Sequence, residues 1–131
     1  MRVAITFSSF DLLHSDHVMM LKEAKNQCDY LIVGLKLDPL SHKSNKNVST
    51  QSIIERYIQL KGSNYVDEII PYVLDQDVDD ILRSFKIDVY IIGEECKNID
   101  FTGKEYCIKK GIEIYYNSRE HHISSTEINN P

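Results

Sequence analysis

The sequence has no C-x-x-C pair, no apolar run long enough to cross a bilayer and no excess of positive charge. Its three cysteines, Cys28, Cys96 and Cys107, are odd in number and widely spaced. No complete disulfide framework follows, and a reducing, cytoplasmic setting is expected. The apolar run within Met1–Phe7 is too short for the core of a signal peptide. Nothing approaches the ~18–20 apolar residues of a transmembrane helix, so no membrane insertion is expected. With 15 basic and 20 acidic residues the net charge is −5. That sign argues against a nucleic-acid partner, which calls for a basic face. It leaves room for a small anionic ligand, which responds to local charge. Two glycine-rich phosphate motifs are also missing: G-x-x-x-x-G-K-[ST] occurs nowhere, and G-x-G-x-x-G does not follow the first strand. A Walker-type loop and an ordinary dinucleotide-binding turn are thereby excluded.

What is present is ordinary in bulk. The 131 residues are 42% hydrophobic and 27% charged, as in a soluble globular protein. They fit one domain, 1–131, large enough to bury roughly two-thirds of its unfolded surface. Along the chain, short β-branched runs alternate with longer amphipathic ones. Val3–Phe7, Tyr30–Leu35, Val66–Tyr72, Val89–Ile92 and Ile112–Tyr116 read as strands. Helical spacing occupies Val18–Lys25, Gln51–Leu60, Val78–Phe85 and roughly Thr102–Lys110, the last stopped by Gly111 as a left-handed cap. The polar stretch Ser41–Ser49 reads as a loop, and Ser124–Ile128 begins like a capped helix. Near-continuous apolar strands alternating with helices predict an α/β fold: a Rossmann-like, doubly wound, five-stranded parallel sheet with helices on both faces. Its ligand crevice should lie at the carboxyl ends of the strands.

Three segments converge there: Ser8–His17 after the first strand, Gly93–Cys96 after the fourth, and Asn117–Thr126 after the fifth. In the first, His14 and His17 stand three residues apart at a helix entrance, on one face and roughly 5–6 Å from each other. Backbone N–H groups and the helix dipole favour an anion at such a place, and each imidazole can donate to a phosphoryl oxygen.

The segment Ser8-Ser9-Phe10-Asp11-Leu12-Leu13-His14-Ser15-Asp16-His17 resembles the signature G-T-F-D-L-L-H-x-G-H of the H-x-G-H nucleotidyltransferases, and more narrowly of the cytidylyltransferases. The likeness continues in Tyr65-Val66-Asp67-Glu68-Ile69-Ile70-Pro71, similar to Y-V-D-E-V-I-P, and in Ile123-Ser124-Ser125-Thr126, similar to I-S-[ST]-[ST], with Arg119 before it. It is nearest to the glycerol-3-phosphate cytidylyltransferase group. The resemblance implies one nucleotidyltransferase domain that moves CMP from CTP to a phosphorylated alcohol, with glycerol 3-phosphate as the expected acceptor, and releases pyrophosphate. It implies Mg2+ as cofactor and a homodimer. Carried over by residue, His14, His17 and Arg119 are the catalytic groups. Ser8, Ser9, Phe10, Gly93, Glu95, Ser124, Ser125 and Thr126 join them in holding the nucleotide. Lys43, Lys46 and Arg56 would receive the acceptor phosphate, and no protein-held metal site is expected.

The chain departs from the signature at several positions. Asp16 stands where the motif has its second glycine, Ser8-Ser9 replaces G-T, His122 replaces the glycine before I-S-[ST]-[ST], and Cys96 takes an aromatic position. A carboxylate ~4 Å from a phosphate opposes it by roughly 4 kcal/mol before screening, at an effective dielectric of ~20. Two alternatives therefore stay open: a nucleotide-binding relative with impaired turnover, and the same chemistry with ATP and a different acceptor. A zinc centre from His14, Asp16, His17 and His121 or His122 is a further alternative, since His-x-x-His pairs bind metals.

Overall fold

Strand and helix alternate along the chain in the computed structural model, which describes residues 1–8, 15–37 and 52–118, with side chains from His17 onward in the first helix. The elements are β1 (Val3–Ser8), α1 (Ser15–Lys25), β2 (Tyr30–Lys36), α2 (Ile53–Lys61), β3 (Glu68–Tyr72), α3 (Asp75–Ser84), β4 (Val89–Gly93), α4 (Lys104–Lys110) and β5 (Glu113–Asn117). The five strands form one sheet in the order β3-β2-β1-β4-β5, every described pairing parallel. This is the doubly wound α/β architecture expected from the apolar pattern.

The period of two along each strand divides the core. Ala4, Leu31, Val33, Leu35, Val89 and Ile91 point to one face, where Leu21 and Ala24 of α1 and Leu60 of α2 cover them. Ile5, Ile32 and Tyr90 point to the other, where they meet Val78 and Leu82 of α3 and Cys107 of α4. Central strands buried on both faces need no alternation of polar residues, which is why their sequences read as continuous apolar runs.

Most boundaries fall within a residue or two of the sequence reading, and the shifts have local causes. β3 starts at Glu68, not Val66, because Asp67 Oδ2 accepts the Leu31 N–H at 2.8 Å and takes the place of a ladder bond. Lys25 pairs with the same carboxylate. Burial works against ionisation of Asp67, but the bonds from Lys25 and Leu31 hold its carboxyl below the ordinary range. α3 starts at Asp75, three residues before Val78, because Asp77 Oδ2 accepts the N–H groups of Val73 and Leu74 at 3.1 and 2.9 Å. α2 begins at Ile53 behind a capping box, in which Ser52 and Glu55 each accept the other's backbone N–H. Gly111 has φ 73° at the end of α4, the left-handed cap foreseen there. A single 3-10 turn, Glu94–Cys96, follows β4 and has no signal in the sequence.

Candidate active site

β1 is flanked by β2 on one side and β4 on the other, so the strand order reverses between β1 and β4. At such a switch point the crossover helices leave in opposite directions and a crevice opens beyond the carboxyl ends. The pairing shows the opening directly. β1 pairs with β2 over its full length, Val3↔Tyr30 to Ser8↔Leu35, but with β4 only at Ala4↔Val89 and Ile5↔Tyr90. Beyond Ile5 and Tyr90 the two strands part. A cavity of about 100 Å³ lies in the gap, lined by Thr6, Phe7 and Ser8 of β1, Ile92 and Gly93 of β4, Asn117 of β5, and His17, Met20 and Leu21 of α1.

The spacing of 17, 20 and 21 places one face of α1 on this cavity. His17 belongs to the first turn of α1 and is half-buried. Its imidazole therefore stands where the helix dipole presents partial positive charge. Ser8 ends β1 and Gly93 ends β4, so the structure brings Ser8, His17 and Gly93 together from three separate elements. The Glu95 carboxylate, exposed to solvent, folds back over Gly93 into the space a side chain there would fill. Arg56 sits elsewhere: it is fully buried in α2 and donates from Nη1 to the carbonyl of Lys36 at 2.7 Å, at the end of β2. Ser9, Phe10, His14, Lys43, Lys46, Arg119, Ser124, Ser125 and Thr126 lie outside the described residues, as do the side chain of Asp16 and the tail His121–Pro131.

Two residues outside the quoted motifs tie α1 to the end of β5: Asn117, which lines the cleft, and Glu23, which does not. Asn117 is 3% exposed and donates from Nδ2 to the Met20 carbonyl at 3.2 Å, while its Oδ1 has no partner among the described residues. Glu23 accepts the Tyr115 hydroxyl at 2.9 Å and the Ser118 N–H at 3.2 Å. Burial and the bond to Glu23 raise the Tyr115 pKa. The period of two in β5 is the only trace of this in the sequence, since it sets residues 113, 115 and 117 on the face that α1 covers.

A larger hollow of about 580 Å³ lies against α3 and α4, lined by acidic Asp79, Asp100 and Glu105 as well as basic Arg83, Lys109 and Lys110. Its charges are mixed and it is away from the strand ends. The β1–β4 cleft is the better candidate on both counts.

The family model described as cytidylyltransferase-like matches residues 5–130. The chain belongs to the cytidylyltransferase-like family. It is accordingly a nucleotidyltransferase, as its signature segments imply. Glycerol-3-phosphate cytidylyltransferase of Bacillus spizizenii is 38% identical over 130 residues, covering 98% of this chain and 95% of that protein. The protein of the same name from Staphylococcus aureus is 32% identical, covering 98% of this chain and 92% of its own length. Among solved structures, the lipopolysaccharide core biosynthesis protein from Thermoplasma volcanium superposes with a TM-score of 0.70 at 23% identity, over 90% of this chain and 95% of that one. That likeness shows the fold. No described helix of this cytidylyltransferase-like chain is long and apolar enough to cross a membrane.

Proposed function

We propose that the protein transfers CMP from CTP to a small phosphorylated alcohol, glycerol 3-phosphate above all, and releases pyrophosphate. The observation that carries this reading is the cleft at the β1–β4 switch point, into which the second histidine of the family signature, His17, is brought by the first turn of α1. The two relatives named for this reaction match over nearly their whole length, which supports the acceptor.

The chemistry asks little of a base. A phosphate monoester is largely dianionic at neutral pH, and one of its oxygens attacks the α-phosphorus of CTP. The bond from that phosphorus to the bridging oxygen of the β-phosphate breaks, and pyrophosphate carries the electron pair away. What the protein supplies is alignment and stabilisation of charge on the five-coordinate phosphorus. In this proposal His14 and His17 donate to the phosphoryl oxygens, and Arg119 with Ser124, Ser125 and Thr126 grips the β- and γ-phosphates. Ser8, Ser9, Phe10, Gly93 and Glu95 form the wall for the rest of the nucleotide. Lys43 and Lys46 receive the acceptor phosphate. Arg56 serves that pocket at the exit of β2, where its bond to Lys36 holds the start of the segment carrying both lysines. Mg2+ bound to a triphosphate takes most of its ligands from phosphate and water and needs one or two carboxylates at most. Glu95 beside Gly93 has the oxygen chemistry for that role, and the bound ion would neutralise part of the phosphate charge.

Asp16 favours one second reading. It occupies the first turn of α1, immediately before His17 and against the end of the helix that would face the triphosphate. A chain in which its charge weakens the nucleotide would bind without efficient turnover. Pyrophosphate release with CTP or ATP and a panel of phosphorylated alcohols tests both readings. CTP-dependent release with glycerol 3-phosphate supports the transferase, release with ATP alone redirects the nucleotide, and no binding of either rejects the site. We also propose a cytoplasmic homodimer. Ile54 and Ile58 of α2, 67% and 62% exposed, give that helix an apolar outer strip suited to a second copy, and the mass in solution by light scattering checks it.

A further inference from the structure

Asn117 ends β5, paired with Gly93 at the last rung of the β4–β5 ladder. Its side chain is 3% exposed and lines the β1–β4 cleft. Chemistry dictates which way its amide faces. The Met20 carbonyl can only accept, so it takes Nδ2, at 3.2 Å, and Oδ1 is the atom left over. Among the described residues nothing donates to that oxygen. Buried polar groups are almost always paired, so an acceptor kept without a donor calls for a reason other than folding. Strand pairing is not that reason, because the ladder already joins Glu113 to Asn117 with β4 through the backbone.

The surroundings of the oxygen narrow what it can meet. Met20 follows His17 by three residues on the face of α1 that lines the cleft, a rise of about 4.5 Å. The cavity shared by His17, Met20 and Asn117 is about 100 Å³. Pockets for whole ligands run to roughly 300–1,000 Å³, so this one takes the edge of a sugar and not a complete nucleotide. An amide oxygen only accepts, which excludes phosphate oxygens as its partner. With an α-phosphate at His17, the next group along a nucleotide is the ribose, joined through one oxygen and one methylene carbon. The base lies beyond it. We infer that Asn117 Oδ1 accepts a hydrogen bond from a ribose hydroxyl of the bound nucleotide, and so makes the cleft select ribonucleotides over their deoxy analogues. The inference rests on the nucleotide reading above and adds to it a specificity-determining residue outside the signature segments.

The test uses the full chain and its Asn117→Leu and Asn117→Val variants, each checked for folding by circular dichroism. Dissociation constants are measured by calorimetry for CTP, 2′-deoxy-CTP, 3′-deoxy-CTP and UTP. In the unaltered protein at least one deoxy analogue should bind about tenfold more weakly than CTP, the equivalent of one hydrogen bond whose buried acceptor is left unpaired. In Asn117→Leu that ratio should shrink to within about twofold, because CTP loses affinity and the analogue does not. Asn117→Val removes the same oxygen at a smaller volume and gives the same ratio if the leucine variant does not fold. A loss of stability alone weakens all four nucleotides together. Equal weakening of CTP and both deoxy analogues therefore overturns the inference, and is the result expected if Oδ1 only holds a buried water. Variants that stop discriminating CTP from UTP, with the deoxy ratios unchanged, place the oxygen on the cytosine amino group and overturn the ribose assignment. If the unaltered protein binds CTP and both deoxy analogues alike, the inference fails while the nucleotide site stands. If it binds no nucleotide, both readings fall.

Discussion

Phe7 and Gly34 face one another across the β1–β2 ladder, and the Phe7 ring fills the space in which a Gly34 side chain would stand. The ring is held on its other sides by edge-to-face contacts with Tyr72 and Tyr90, at centroid distances of 5.5 and 5.7 Å. It cannot retreat without disturbing both, and the next residue is Ser8, on the cleft. Gly34→Ala is therefore expected to destabilise the fold by about 1–3 kcal/mol, the usual result of overpacking. For a chain of this size that lowers Tm by roughly 3–5 °C per kcal/mol. Thermal unfolding measures the first effect. Nucleotide affinity should fall as well, since the displaced ring adjoins the site.

Asp16→Gly separates the transferase from its impaired alternative. The substitution removes a carboxylate from the helix end that would face the triphosphate. Even after screening takes most of the ~4 kcal/mol opposition, CTP affinity should improve about tenfold or more. α1 should become slightly less stable, because an acidic group in its first turn suits the helix dipole. Titration with CTP beside a melting curve reads both. Unchanged affinity would mean that the Asp16 carboxylate points away from the nucleotide.

Much of this architecture is legible in the sequence because its causes are local or repetitive. Val3–Phe7 and Tyr30–Leu35 announce buried parallel strands, since both faces of the sheet are covered and apolar residues need not alternate. His17 is legible because a signature segment carries it and a helix N-terminus explains it. Asp67 was less so: a side chain that replaces a ladder bond at Leu31 looks in sequence like any polar residue within a strand. Glu23 and Asn117 leave almost no trace. The bonds of Glu23 to Ser118 and of Asn117 to Met20 span 95 and 97 residues, and only the packing of α1 on β5 brings them together. At Arg56 the sequence offers a cation at a helix start but does not foretell its burial in α2 or the bond from its Nη1 to the Lys36 carbonyl at the end of β2.

Cys107 should make the fold sensitive to alkali. Its thiol is fully buried among the residues between the sheet and α4, and burial pushes its pKa from 9.0 to about 11. The neutral thiol is favoured by the folded state, so this contribution is complete below pH 9, where the unfolded thiol begins to ionise, and is lost as the pH rises towards 11. The expected loss is on the order of 2 kcal/mol across that window. Urea unfolding at intervals from pH 8 to 11 should show it, and Cys107→Ala should flatten that part of the profile. In the native protein at neutral pH, a thiol reagent should leave Cys107 unmodified until the chain is unfolded.

Asn117 gives the last expectation, in which stability and function move apart. Its amide is buried at the edge of the cleft, only its Nδ2 is bonded among the described residues, and an unsatisfied buried acceptor costs about 1–3 kcal/mol. Asn117→Leu keeps the branched side-chain skeleton at a larger volume that the adjoining cavity can take up, removes the stranded Oδ1 and leaves the Met20 carbonyl within α1, where the helix ladder supplies a donor. The variant should therefore melt at the same temperature as the unaltered protein or slightly above it, although a hydrogen bond has been deleted. Activity should not follow stability. An amide lining the cavity beside His17 and Gly93 is in place to meet a donor on a bound ligand, and an isobutyl group cannot accept one. Lower kcat/KM for CTP in a variant that melts no lower would show that Asn117 is retained for the site. A clear fall in Tm would show instead that the bond to Met20 contributes more than the stranded oxygen costs.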